Sequence, residues 1–396
     1  MSTITDVAKR AGVSTMTVSR VVNGTGRTSS ATRARVEAAV AELGYVPNAL
    51  ARQLRSKRTK MVALVVSDIS NPFFTTIARG VEDVAAAHGF SVMYCNTDES
   101  DVEEERYLLM LIERQVDGIL LVPARSSGEA CLLLSAHHMP VVVLDRRIDA
   151  RNVDSVRCDS EAAAYALTRH LVDLGHRRVA VLTGPRSIST SVDRVAGARR
   201  ALDEAGLPLP DELVQYGGYS FGKSNQADGH RMALELLDAP GERPTAIFCA
   251  NNFIAFGAIR ALRAAGVRVP EDMSVVAFDD LPEEWVSEPF LTVAAQPAYE
   301  IGQRAATLLL SQIAGSHEPS GKSVVLPFEL ILRRSSAPPP AATAPLATAA
   351  TAPPAATAPL ATAATAPPAA TAPLATAATA PAAATAPAAA AAAAVS

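Results

Sequence analysis

The sequence has little that would staple it, span a membrane or equip it for catalysis. Its four cysteines, Cys95, Cys131, Cys158 and Cys249, stand far apart in 396 residues. None belongs to a CxxC pair or a Cys/His ligand spacing, so neither a disulfide framework nor a zinc site is indicated. No run of about twenty apolar residues lacks charges or breakers, so no transmembrane helix is expected. No apolar signal segment opens the chain, and a cytoplasmic protein is expected. Also missing are GxSxG, GxxxxGK[ST], HExxH and a GxGxxG after a strand. His176, in LGHRRVA, is a lone histidine before a strand and reads as a cap or packing group. No catalytic residue, metal or cofactor is expected. The only tryptophan, Trp285, falls in a loop, LPEEWVSEP, and reads either as a pocket wall or as a cover over a hinge.

What is present is organised around the first sixty residues. Up to Lys60 there are eleven Lys and Arg against three acids, about +8, while the whole chain carries −4. A basic head on an acidic body points to a nucleic-acid contact confined to one end. Thr3 caps a first helix, with Asp6 near its positive end. Ile4, Val7, Ala8 and Ala11 recur at helical spacing and mark a buried face. Gly12 ends that helix and Ser14 caps the next at once, the short turn of a helix-turn-helix. Val18, Val21 and Val22 face the core, which leaves Thr15, Met16, Thr17, Ser19 and Arg20 mostly outward. Such a surface suits a DNA major groove: Arg20 reaches guanine O6/N7, and methyl groups of Thr15 or Met16 touch thymine.

ITDVAKRAGVSTMTVSRVVNG followed by ELGYVPNALARQL resembles the DNA-binding head of the lactose/galactose repressor (LacI/GalR) family over about 55 residues. The resemblance implies that Thr15, Met16 and Arg20 read bases. It places Thr3, Ser14, Thr17, Asn23, Ser29 and Thr32 where the family caps helices or touches phosphates, and both roles stay open. It also implies a hinge helix after Pro47, carrying Asn48, Ala51 and Leu54, that forms only on DNA. Two such helices of a homodimer enter the minor groove, where Leu54 wedges between base pairs. An apolar wedge offsets unstacking by opening more contact surface. ALARQL is too short to hold a helix alone.

From Met61 short apolar strands alternate with amphipathic helices, the pattern of a doubly wound sheet with ligands at the strand C-termini. SDISNPFF reads as a loop before the helix TTIARGVEDVAAAHGF. The alternation restarts near Glu161. Past Pro289, LTVAAQP and its helix look like a return to the first unit, and SVVLPFELILRRS reads as one closing strand. Landmarks such as SNPFF, VLDRR, RVAGARRAL, FCANNFIAFGA and VVAFDD resemble the effector domain of the same family, and through it the type I periplasmic sugar-binding fold. The fold class expected is an all-α helix-turn-helix head, an α/β effector domain of two doubly wound parallel-sheet lobes, and a disordered tail. The boundaries are 1–46 for the head, 47–60 for hinge and linker, 61–336 for the two-lobed domain and 337–396 for the tail.

A sugar pocket needs planar polar groups that reach hydroxyls in pairs and aromatic faces for the ring. Asn71, Phe73 and Phe74 follow the first strand; Asp145 and Arg146 follow VVVL. Arg194 opens the helix after the GP loop. Asn251, Asp279 and Gln296 follow three later strands, and Tyr219 or Phe221 supplies a second ring wall. Each also has a structural reading: Phe73 and Phe74 as core, Asp145 and Arg146 as an ion pair, Arg194 paired with an acid, Asn251 and Asp279 as turn residues. The set resembles ribose-type pockets, so a pentose is expected, with a purine or another sugar as the alternative. Asn252 stands where the family often has Asp, and SFGKSNQADG is longer than the pattern. The tail repeats PPAATAPLATAATA three times from Pro339, with no charges and no packed core in prospect. The functional expectation is a ligand-responsive regulator, a repressor in family terms, that binds a palindromic double-stranded DNA operator as a homodimer, senses a small-molecule effector and has no membrane partner. A solute-binding protein is the alternative, and the basic head would then have no purpose.

Overall fold

The computed structural model describes residues 2–46, 58–218, 225–282 and 287–340. The expected helix after Pro47, the aromatics Tyr219 and Phe221, Trp285 and the tail beyond Pro340 lie outside them.

The head holds α1 (Ile4–Ala11), α2 (Thr15–Val22) and α3 (Ser30–Leu43). Thr3 and Asp6 form a reciprocal capping box, and Gly12 ends α1 in the left-handed region at φ 64°. Ser14 and Ser29 cap α2 and α3. Val7, Ala8, Ala11, Val18, Val21, Val36 and Ala39 form the small core. Ile4 and Val22 are half-buried at its edge.

The body begins with β1 (Met61–Val66), α4 (Pro72–Ala87), β2 (Ser91–Asn96), α5 (Asp101–Glu113), β3 (Gly118–Leu121), α6 (Glu129–Ala136), β4 (Val141–Leu144) and β5 (Asp154–Cys158). It continues with α7 (Ser160–Asp173), β6 (Val179–Thr183), α8 (Ser189–Glu204), β7 (Val214–Tyr216), α9 (Asn225–Asp238), β8 (Ala246–Cys249), α10 (Asn252–Ala264), β9 (Ser274–Phe278) and β10 (Thr292–Ala295). The last elements are α11 (Ala298–Ala314), β11 (Ser323–Leu326) and β12 (Glu329–Ile331). Two six-stranded sheets result, in the orders β11-β5-β4-β3-β1-β2 and β12-β10-β9-β8-β6-β7. Every pairing is parallel except β10 with β12. The first sheet buries one face under α4 and α11 and the other under α5 and α6. A single larger core surrounds the second sheet. Strands covered on both faces must be apolar throughout, which is why MVALVV and VVVL read as unbroken runs.

Four expectations need correction. The loop after β1 stops at Asn71, because Asn71 caps α4 and Pro72, with its φ preset, takes the first helical position. Phe73 and Phe74 are therefore helical. β5 went unread because DSVRC alternates, burying Asp154, Val156 and Cys158 instead of a continuous run. The return to the first lobe comes after Gln296: β10 still belongs to the second sheet, and α11 packs on α4. SVVLPFELILRRS is two strands, one in each sheet, parted at Pro327, which has no N–H for a ladder. The chain thus crosses between lobes after β5, after β10 and after β11.

Glycine sets how closely the helices pair. A Cβ on Gly80 would collide with the Tyr299 carbonyl oxygen, and one on Gly302 with that of Ile77, so α4 and α11 touch backbone to backbone. Gly197 between α7 and α8, and Gly229 and Gly257 between α9 and α10, serve the other pairs in the same way. His176 is a packing group: Nδ1 lies 2.8 Å from Thr245 Oγ1, and Nε2 lies 2.9 Å from the Ala337 carbonyl. No described helix is long and apolar enough to cross a membrane.

Candidate DNA-reading surface and effector cleft

On the head, Thr15, Met16 and Arg20 project from α2 into solvent, with Met16 63% exposed. The Arg20 stem lies along the 24–26 turn, close enough that a Cβ on Gly26 would sit 3.6 Å from its Cδ. The hydroxyls act as caps: Ser14 Oγ accepts from the Thr17 amide at 3.1 Å and Ser29 Oγ from the Thr32 amide at 3.3 Å. Asn23 donates its amide to the Ser19 carbonyl at 2.7 Å, closing the end of α2. These bonds close both ends of α2 and the start of α3. Asn48, Ala51 and Leu54 lie outside the described residues.

In the body, the two lobes place an aspartate in the same way. Asp145 follows β4 and Asp279 follows β9, both buried and both with left-handed backbone, φ 64° and 66°. Each donates its N–H to the neighbouring strand, Asp145 to the Val156 carbonyl and Asp279 to that of Ala294. Burial pushes the Asp145 carboxyl up, with Arg194 and Arg146 opposing. Burial also pushes Asp279 up to about 6, against Arg194 and the hydrogen bond from Gln296 Nε2 to its Oδ1 at 2.7 Å. One cation thus acts on carboxylates of both lobes.

Arg194 sits one turn inside α8, which begins at Ser189, so it does not open the helix as expected. It is buried, stacks 3.9 Å from the Phe278 ring centroid and donates to the Ala250 carbonyl at 2.5 Å. That holds its guanidinium across the ends of β8 and β9. Arg146 is held differently. Its Nη1 donates to Glu99 Oε2 at 2.7 Å and to the Pro123 carbonyl at 2.6 Å, and its Nη2 to Glu99 Oε1 at 2.6 Å. It ties together the loops that follow β2, β3 and β4.

Asn71 and Asn251 accept from the Phe73 and Ile254 amides as helix N-caps. Phe73 and Phe74 are buried, with ring centroids 5.1 Å apart, edge to face. Phe73, Asp279, Gln296 and Tyr299 share the wall of a cavity of about 460 Å³ between the N-terminal ends of α4 and α11 and the loop after β9. Several buried polar atoms at these strand ends have no hydrogen-bond partner among the described residues: Asp145 Oδ1, Thr183 Oγ1, Arg194 Nε, both amide atoms of Asn252 and Gln296 Oε1. Orphaned groups of that kind cost free energy unless something else satisfies them. Among the described residues, no group of three or more His, Cys, Asp or Glu is placed to hold a metal ion.

Sequence reasoning missed Glu99 and Glu104, which lie in TDESDVEEE, a run that reads as a solvated helix start. Glu104 is buried and accepts from the Ala124 amide at 2.7 Å; burial pushes its carboxyl up to about 7. It also missed the direct contacts between lobes. Ser126 donates its amide to the Ser187 carbonyl at 3.2 Å, Ser189 donates to Ser126 Oγ at 2.9 Å, and Arg147 pairs with Asp193.

Two family descriptions match the chain: bacterial regulatory proteins of the lacI family over residues 3–48, and periplasmic binding proteins and sugar binding domain of the LacI family over residues 59–333. The HTH-type transcriptional regulator DegA of Bacillus subtilis is 36% identical over 340 residues, 85% of this chain and 98% of that protein. A lac repressor dimer bound to operator and an anti-inducer is similar with a TM-score of 0.74 and 30% identity, over 85% of this chain and 99% of that one. A LacI family transcriptional regulator from Enterococcus faecium with bound ribose is similar with a TM-score of 0.60 and 33% identity, over 70% of this chain and 99% of that one.

Proposed function

Since this chain belongs to the LacI family, as a ligand-responsive DNA-binding regulator and not an enzyme, we propose that it binds a two-fold symmetric operator as a homodimer. Its grip on that operator is set by a small sugar, a pentose such as ribose, held between the lobes. The observation that carries the ligand reading is a set of buried polar atoms at strand ends of both lobes that have no hydrogen-bond partner among the described residues, Asp145 Oδ1, Arg194 Nε, both amide atoms of Asn252 and Gln296 Oε1, with Gln296 sharing a cavity wall with Phe73. A carboxylate, two amides and a guanidinium with an aromatic face nearby match vicinal hydroxyls and a sugar's C–H side. The ribose bound to the Enterococcus faecium relative supports the same choice.

In this reading Thr15, Met16 and Arg20 read the major groove, Thr3, Ser14, Thr17, Asn23, Ser29 and Thr32 position the head against phosphates, and Asn48, Ala51 and Leu54 belong to a minor-groove hinge. The division into a head at 1–46, a linker at 47–60, a sensor at 61–336 and a tail at 337–396 is part of the same proposal. Ligand and operator then affect each other's binding reciprocally.

The test is operator selection from random DNA, followed by titration at fixed salt. A two-fold symmetric site is expected, with Arg20→Ala costing about 1–3 kcal/mol at that site and D-ribose changing its affinity. Selection that returns no symmetric sequence refutes the regulator's operator mode. Operator affinity and melting temperature both indifferent to D-ribose strike out the pentose.

A further inference from the structure

We propose that Glu99 sets the charge class of the effector: by holding the guanidinium of Arg146 it restricts the cleft to uncharged, hydroxyl-rich molecules. The proposal rests on the reading of the cleft as the effector site.

An arginine at a strand end beside a ligand cleft is a natural anchor for a phosphate or carboxylate, because its paired N–H groups match two anion oxygens. Here that capacity is spent inside the first lobe. The two Nη atoms carry four hydrogens, and four acceptors meet them: both Glu99 oxygens at 2.7 and 2.6 Å, the Pro123 carbonyl at 2.6 Å and Ser67 Oγ at 3.4 Å. Nε lies 3.9 Å from Asp145. The side chains of Arg146 and Glu99 are only 4% and 11% exposed, so solvent does little to loosen the pair.

The backbone keeps Glu99 in place. Asp98 and Glu99 are consecutive non-glycine residues in the left-handed region, at φ 49° and 60°. Two such residues in a row persist only where the surroundings over-determine them. Asn96 Nδ2 donates to Asp98 Oδ1 at 2.6 Å, and the Glu99 amide donates to the Ser67 carbonyl at 3.2 Å. Ser67 thus fixes Glu99 from behind while its hydroxyl meets the same guanidinium.

The charge count follows. Glu99 cancels Arg146, which leaves Arg194 set against both Asp145 and Asp279. Among the described residues at these strand ends, an anionic ligand would meet the carboxylates of Asp145 and Asp279 and the Arg194 guanidinium, already stacked on Phe278. A neutral polyol would instead donate its hydroxyls to those carboxylates.

The experiment uses the full chain, with inorganic phosphate, D-ribose 5-phosphate and D-ribose as probes in thermal-shift and calorimetric titrations of the wild type, Glu99→Gln, Glu99→Asp and Glu99→Gln/Arg146→Gln. The wild type and Glu99→Asp are expected to ignore both phosphates. Glu99→Gln should bind them at least about tenfold more tightly than the wild type, as a released guanidinium does, and the double variant should lose that gain. Wild type stabilised by either phosphate overturns the proposal, whether or not Glu99→Gln folds, and so does a folded Glu99→Gln that stays indifferent to both. Loss of every D-ribose response with the Glu99→Gln gain intact would remove the pentose reading and leave the role of Glu99 standing.

Discussion

The contact between the lobes beside the cleft makes a prediction that needs no knowledge of the effector. Ser126 and Arg147 lie in the loops after β3 and β4; Ser187, Ser189 and Asp193 lie at the start of α8 in the other lobe. Arg147 donates its amide to Ser189 Oγ at 2.8 Å and its Nε to Asp193 Oδ2 at 3.0 Å. The Arg147 side chain is 52% exposed and that of Asp193 13%, so water screens the pair and its contribution is about 0.5–1 kcal/mol. Asp193→Asn removes the charge while keeping the size. It should lower the ratio of molecules with this contact made to those with it broken about two- to fivefold. All four native cysteines are buried, so spin labels attach selectively at Arg125→Cys and Val192→Cys, two exposed positions on opposite sides of the contact. Pulsed electron-spin distance measurements then read the two populations. Arg147→Ala and Asp193→Asn should be non-additive, because each removes the same interaction. High salt should mimic either substitution in the parent and do little in the variants. Distance distributions identical in the parent and Asp193→Asn would refute the ion pair as a clasp, as would strict additivity of the two changes.

Gly80→Ala places a methyl group against the Tyr299 carbonyl oxygen and forces α4 away from α11. A cost of about 1–3 kcal/mol is expected, read by calorimetry as a melting temperature lower by about 2–4 °C per kcal/mol; an unchanged melting temperature would mean that the crossing has slack. For Glu104 the sign is fixed by a carboxyl raised from 4.5 to about 7 by burial. Its contribution to stability is fully present below the unfolded value and is lost as pH rises through about 7. Glu104→Gln keeps an acceptor for the Ala124 amide and should flatten the stability profile between about pH 4.5 and 7, gaining on the wild type at higher pH. Parallel profiles for the two proteins in chemical denaturation would contradict this.

Much of the fold was legible because its strands are covered on both faces. MVALVV, GILL, VVVL and AIFC are apolar along their whole length, SVVAF is apolar after Ser274, and each is fully or nearly fully buried. The strand that escaped notice is the one whose role differs. β5 carries Asp154, a fully buried carboxylate that accepts from Gln312, His317 and the amides of Ser320 and Lys322. That cluster fixes the loop leading into β11, and no window of sequence shows partners some 160 positions away. The same limit explains β11 and β12. Both halves of SVVLPFELILRRS have strand composition, and only the pairing of Val324 with Val156 and of Leu330 with Ala294 assigns them to different sheets.

The positions of the candidate residues in the fold were legible, and their hydrogen-bond partners were not. Strand ends put Asp145, Asn251, Asp279 and Gln296 near one another, and alternation alone predicts that. What alternation cannot say is how each side chain divides its hydrogen bonds. Asn71 and Asn251 serve the helix starts with Oδ1. An N-cap uses the side-chain oxygen as acceptor, which the local turn chemistry of the sequence already announces. Arg146 is the opposite case. Its place in VLDRR marks it as a ligand contact by resemblance, yet the groups that occupy it come from TDES and from the loop after β3. Two chains with the same VLDRR but a different residue at position 99 would therefore present different charge to the same cleft, and the discriminating residue would sit outside the motif that announces the pocket.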